Sequence, residues 1–169
     1  DQVIDVVRRV AQTEVMPRFL KVAFARKHDG TVITEADLAS QAALNIELRK
    51  VIDVQVLGEE MTADEQQHFW DQGDEGMWCV DPIDGTSNFL NGLPYFAISV
   101  ALMEEGRGVL GVIYNPVADE MFYATKGGGA FLNGTALPIK KYVPTLSSAM
   151  ANVDLKRLDR KFAARVAAY

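Results

Sequence analysis

Residues 81 to 86 read Asp-Pro-Ile-Asp-Gly-Thr. A hard divalent cation gathers several oxygens around one point, and Asp81 and Asp84, three positions apart across a turn, can both face it, with the Ile83 carbonyl as a further ligand. Pro82 fixes φ and gives up its N–H, while Gly85 tolerates unusual φ and lets a ligand come close to the backbone. Thr86-Ser87-Asn88-Phe89-Leu90 can then begin a helix whose unbonded N–H groups and positive dipole end suit a phosphate. One hexapeptide therefore offers cation ligands and an anion cradle together, the parts of a magnesium-dependent phosphatase. The same residue types also make ordinary turns, in which Asp84 or Thr86 would do no more than start a helix.

A second acidic pair favours the metal reading. Glu59 and Glu60 follow Gly58 and the strand-like run Val54-Gln55-Val56-Leu57, and Asp81 follows the apolar run Met77-Trp78-Cys79-Val80. Carboxylates thus stand at the ends of two short strands, where they can share one cation. Haloacid dehalogenase-type phosphatases also carry Asp-Gly-Thr after an aspartate. There a single residue separates the two aspartates, whereas two, Pro82 and Ile83, separate them here, so a covalent aspartyl-phosphate route is disfavoured.

The elements around these residues are legible from periodicity. Val3, Val6, Val7, Val10, Val15 and Phe19 recur at helical spacing and predict an amphipathic helix over residues 2 to 21. A Gly-containing loop over Lys27 to Val32 follows. Thr34 and Asp37 have the spacing of a capping box, opening a second helix to about Lys50. Asp37 has two local readings, partner of the helix end or support for a metal site. Thr62 and Glu65 form a second capping box before a short helix ending near Trp70. The runs 95 to 104, 108 to 114 and 120 to 124 read as an antiparallel meander, Gly127-Gly128-Gly129 as a tight connection, and Asn133-Gly134 as a hairpin turn. Beyond Lys140, a connection at Pro144 to Ser148, a strand at Ala149 to Val153 and a helix from about Lys156 suggest that a second unit opens.

Composition narrows the class. The 169 residues are 49% hydrophobic, enough for a real core, and the formal charge of −6 argues against a general nucleic-acid or membrane-binding surface. Cys79 is the single cysteine, so no internal disulfide forms, and it reads as a small hydrophobe on a central strand. His28 and His68 read as solvated rather than as ligands. No signal peptide or membrane-spanning run is visible, which makes a cytoplasmic protein the simplest expectation. The chain begins at Asp1, already inside the first helix, so a preceding segment is expected.

Taken together, Val32-Ile33-Thr34-Glu35-Ala36-Asp37, Gly58-Glu59-Glu60, the run Trp78 to Phe89, Gly92-Leu93-Pro94, Gly111 to Pro116 and Gly127 to Gly134 resemble the inositol monophosphatase family over most of residues 25 to 140. The resemblance implies an α+β fold: the N-terminal half of an αβαβα layered sandwich, an antiparallel sheet with two long helices, followed by the start of a C-terminal α/β domain. On that basis residues 1–142 form the metal-binding domain and 143–169 open the second.

The resemblance also implies roles. Glu59, Asp81, Ile83 through its carbonyl, and Asp84 would bind two or three magnesium ions, with Asp81 as the bridge. Glu59 and Thr86 would orient the attacking water, with Asp37 holding Thr86. Asp84, Gly85 and Thr86 would bind the substrate phosphate. The expected substrate is an inositol monophosphate or a related sugar or polyol phosphate, and the assembly a homodimer without nucleic-acid or membrane partners. Fructose-1,6-bisphosphatase, bisphosphate nucleotidase and histidinol-phosphatase activities are the alternatives within the superfamily, and a non-catalytic member is another. Two departures stand out. Gln41 occupies the position four after Asp37 where the family usually has glutamate, and reads as helix-surface support of little consequence. A later Trp-Asp-x-Ala-Ala-Gly block, whose Asp completes the second metal site, has no match after Tyr142, and a fragment of a longer enzyme is the expectation.

Overall fold

Valines at 3, 6, 7 and 10 lie on one face of helix α1 (Gln2–Val10), and all four are buried. They belong to a computed structural model that describes residues 1–21, 24–26, 32–138, 145 and 159–167. The helix expected to residue 21 is regular only to Val10. Across Ala11–Val15 it widens, with the Met16 N–H donating to the Ala11 carbonyl five residues back, and Met16–Arg18 tighten into a 3-10 turn. Pro17 has no N–H to give to Thr13, and the Thr13 hydroxyl donates to the Arg9 carbonyl at 3.1 Å, so the ladder changes pitch here. The winding delivers Phe19 onto Phe89 and Phe96, with centroids 5.4 and 5.1 Å away.

Thr34 opens α2 (Glu35–Val51) with the capping box expected: its hydroxyl accepts from the Ala36 and Asp37 N–H groups, and the Asp37 carboxylate accepts from the Thr34 N–H at 2.8 Å. Ala36, Asp37, Ser40, Leu44 and Leu48 form its buried stripe. Ahead of it, β1 (Phe24–Arg26) and β2 (Val32–Thr34) pair antiparallel, Phe24 opposite Thr34. Val32 thus belongs to a strand rather than to the expected loop. Residues 27–31 of that loop, His28 included, lie outside the described residues.

Among the described residues the main sheet has seven strands in sequence order: β3 (Gln55–Gly58), β4 (Met77–Asp84), β5 (Ala97–Glu104), β6 (Arg107–Asn115), β7 (Glu120–Thr125), β8 (Gly129–Leu132) and β9 (Thr135–Ala136). The expected meander is present as β5 to β7, and antiparallel pairing extends from β4 through β9. The sheet is not wholly antiparallel, however: α3 (Ala63–Asp71) carries the chain back across, so β3 pairs parallel with β4, Gly58 opposite Val80. Val56, Trp78, Val80, Ile98, Val100, Leu102, Val112, Tyr114 and Met121 form its buried face and belong to one core with the stripes of α1 and α2. Trp78 is fully buried yet satisfied, its indole N–H donating to the Ile52 carbonyl at 3.1 Å. Asn133 and Gly134 both take positive φ, +47° and +84°, as a two-residue hairpin turn requires.

Two compact units divide the chain, Asp1–Leu137 and Pro138–Tyr169. In the second, α5 (Arg160–Ala167) is opened by Asp159, whose carboxylate accepts from the Lys161 and Phe162 N–H groups at 3.0 and 3.1 Å. The boundary expected at residue 142 and the strand at 149–153 lie outside the described residues.

Candidate active site

Parallel pairing decides where the acidic residues meet. Because β3 and β4 run the same way, their C-terminal ends share one end of the sheet, and the residues that follow β3 arrive beside the last residues of β4. The Glu59 N–H donates to the Val80 carbonyl at 3.1 Å, which extends the ladder by one residue and sets Glu59 next to Asp81. Sequence alone placed two acidic pairs at strand ends; the crossover through α3 makes them neighbours.

The hexapeptide is a bulged strand end rather than a free turn. Asp81 pairs with Ser99 and Asp84 with Ala97, and the register slips between them. Within the slip the Ile83 N–H donates to Asp81 Oδ1 at 3.1 Å, while Pro82 and Ile83 are buried. Asp84 is exposed, so the bulge anchors its apolar middle and presents carboxylates at both ends. Gly85, at φ +95°, precedes the short helix α4 (Thr86–Leu90), so neither Asp84 nor Thr86 serves as its cap. A Cβ at Gly85 would lie 3.0 Å from the Tyr95 carbonyl and 3.3 Å from Phe96 Cα. Gly85→Ala is therefore expected to cost about 1–2 kcal/mol through left-handed strain and crowding, measured as a drop in melting temperature. An unchanged melt would contradict the fit described for this turn.

Thr86 reaches back instead. Its hydroxyl faces two acceptors, the Ile83 carbonyl at 3.1 Å and Asp37 Oδ1 at 3.4 Å. Asp37 is fully buried, and its other oxygen, Oδ2, takes the Thr34 N–H and hydroxyl. The helix-end reading of Asp37 holds, since Oδ2 closes the capping box, while Oδ1 faces Thr86. Burial raises the Asp37 pKa above its ordinary value, and the hydrogen bonds from Thr34, from its own backbone and from Thr86 oppose that rise.

Asp81 is strongly perturbed. Its carboxyl is pushed up to about 8, first by burial, then by the charge and hydrogen bond of Glu59 and the charge of Asp84, with the Ile83 N–H pulling the other way. Glu59, Asp81 and Asp84 therefore share one field. Among the described residues no three carboxylate, histidine or cysteine side chains stand as a ready-made metal cage. The chemistry of the donors nonetheless fits magnesium: oxygens only, from three carboxylates and the Ile83 carbonyl, with mutual repulsion that a cation among them would turn into attraction.

Gln41 is a functional candidate that the sequence misassigns. It is half-buried rather than surface support, and its Oε1 accepts from the Glu60 N–H at 3.0 Å. Its spacing of four from Asp37 was the available signal, since that places both on one helix face. Of the two histidines, His68 is exposed on α3 and His28 lies outside the described residues.

A profile of the inositol monophosphatase family matches residues 2–161. The inositol monophosphatase of Dictyostelium discoideum is 37% identical over 166 residues, 93% of this chain and 58% of that protein. A fructose-1,6-bisphosphatase/inositol-1-monophosphatase of Thermotoga maritima is 39% identical over 111 residues, 65% of this chain and 40% of that protein. Among solved structures, Thermotoga maritima IMPase superposes with a TM-score of 0.71 at 34% identity, over 82% of this chain and 52% of that one. The chain spans about half the length of the curated relatives it matches. The α+β class and the mostly antiparallel sheet agree with this likeness.

Proposed function

This chain belongs to the inositol monophosphatase family, and from that premise we propose that the protein carrying it is a magnesium-dependent phosphomonoesterase acting on an inositol monophosphate or a related small sugar or polyol phosphate. The observation that carries the reading is the meeting of Glu59, Asp81 and Asp84 at one sheet end, with Thr86 and Asp37 hydrogen-bonded beside them. The acidic surface fits as well, since a protein of formal charge −6 that handles an anion needs local cations.

Glu59, Asp81, the Ile83 carbonyl and Asp84 would hold the magnesium. When bound, it supplies positive charge that polarises the phosphate and lowers the pKa of water. The chain's own residues do the rest. Glu59 and Thr86 orient the attacking water; the Thr86 hydroxyl donates its single hydrogen to Asp37 or to the Ile83 carbonyl, which leaves its oxygen lone pairs to accept a hydrogen bond from that water. The Asp37 carboxylate holds this arrangement because its second oxygen is locked to Thr34. Gly85 and Thr86 present N–H groups to phosphate oxygens whose charge persists into the transition state.

By the same family likeness the protein works as a homodimer in the cytoplasm. Among the described residues no helix is long and apolar enough to cross a membrane. The two activities in the name of the Thermotoga maritima relative favour fructose 1,6-bisphosphate as the second substrate to try. The natural-length protein with magnesium is expected to release phosphate from inositol 1-phosphate in a panel that includes fructose 1,6-bisphosphate and other sugar phosphates. Release from none of them would overturn the reading, and release from fructose 1,6-bisphosphate alone would shift the substrate.

A further inference from the structure

The peptide groups around Glu59 are held from three sides. Its N–H donates to the Val80 carbonyl at 3.1 Å on β4. From α3, Gln66 Nε2 donates to the Gly58 carbonyl at 3.0 Å and to the Glu59 carbonyl at 3.2 Å. From α2, Gln41 Oε1 accepts the Glu60 N–H at 3.0 Å. Both peptides flanking the Glu59 Cα are thereby fixed.

Gln41 differs from the other two restraints in where it comes from. It stands one helical turn after Asp37, so a single rigid face of α2 holds Thr86 through Asp37 and the Glu59–Glu60 peptide through Gln41. Gly58 makes the approach possible, since a Cβ at that position would overlap the Gln41 amide. The backbone at Gly58 is not in the left-handed region, so it is the closeness of Gln41, not φ, that calls for glycine.

We propose that Gln41 is a positioning residue: by accepting the Glu60 N–H it sets Glu59 at the spacing from Thr86 that magnesium binding at this sheet end requires. The inference rests on the metal-site reading above and deepens it. Partners that orient a ligand typically change metal affinity by about 10–100-fold when removed.

The test is magnesium binding by calorimetry on the natural-length protein and three variants, with thermal melting as the folding control. Gln41→Leu removes the acceptor and is expected to weaken magnesium binding about 10–100-fold. Gln41→Glu keeps an acceptor oxygen and is expected to restore affinity to within about threefold of wild type, the rescue a merely space-filling role would not give. Gly58→Ala leaves the Gln41 chemistry intact but displaces its amide, and is expected to weaken binding as Gln41→Leu does; it stands in if Gln41→Leu fails to fold. In kinetics, the magnesium concentration for half-maximal activity should rise while KM for substrate at saturating magnesium stays put. Wild-type affinity in Gln41→Leu or in folded Gly58→Ala overturns the positioning role and leaves the metal-site reading standing. A wild-type protein that binds no magnesium overturns both.

Discussion

Asp81→Asn in the natural-length protein is expected to lower phosphate release by about three orders of magnitude, roughly 4 kcal/mol of transition-state stabilisation. The amide is nearly isosteric, so no cavity opens, and the Oδ1 atom can still accept from the Ile83 N–H that shapes the bulge. What is lost is the charge that lies between Glu59 and Asp84. The same substitution should act on stability with the opposite sign. Burial and the neighbouring carboxylates raise the Asp81 pKa from 3.8 to about 8, so the folded chain keeps a proton that the unfolded chain releases. That contribution to stability is complete below the unfolded value and is lost as pH rises through the folded one. Asparagine does not titrate, so in magnesium-free buffer the variant should lose less stability between pH 4 and 8. At pH 8 it should gain on the order of 1–2 kcal/mol after allowance for solvent screening. Such a gain is a rise of about 2–8 °C in melting temperature for a domain of this size. A variant that keeps its turnover, or melts lower than wild type at pH 8, would contradict the assignment of Asp81.

The second large effect concerns Thr86 and Asp37. Thr86→Val keeps the shape of the side chain and removes the hydroxyl, and is expected to slow turnover about 10²–10³-fold, the range for a group that positions a transferred proton. Asp37→Asn should cost a similar factor, because the carboxylate oxygen facing Thr86 becomes a neutral amide atom. The pair is expected to be strongly non-additive, the double variant losing little more than the worse single one, since both act through one contact. Asp37→Ala should add a stability loss of about 1 kcal/mol or more that Thr86→Val does not share, because the Thr34 N–H then loses its cap. Independent, multiplying losses would show that the 3.4 Å contact does not couple the two residues.

The parts of this site written in short stretches of sequence were readable before the fold was known. Both capping boxes lie within four residues, and each forms with the reciprocal hydrogen bonds that its spacing predicts. The Asn133-Gly134 hairpin and the meander likewise follow from local pattern. What escaped was long-range or competitive. The parallel pairing of β3 with β4 depends on how α3 returns the chain, which hydrophobic alternation does not encode. The Asp81 to Asp84 segment reads as a turn because of Pro82 and Gly85, yet burial of Pro82 and Ile83 draws it into the sheet as a bulge. Gln41 looked like a tolerated surface substitution because its partner, Glu60, is nineteen residues away in the chain. The first helix looks continuous in sequence because apolar spacing survives the change of pitch before Pro17.

If the β4 end is one wall of a magnesium site, titrating magnesium in a calorimeter, with inorganic phosphate present, into the natural-length protein gives saturable heat with more than one ion per chain, and the Asp81→Asn variant loses it. Equal isotherms for the two proteins, or no magnesium heat from the wild type, would contradict it.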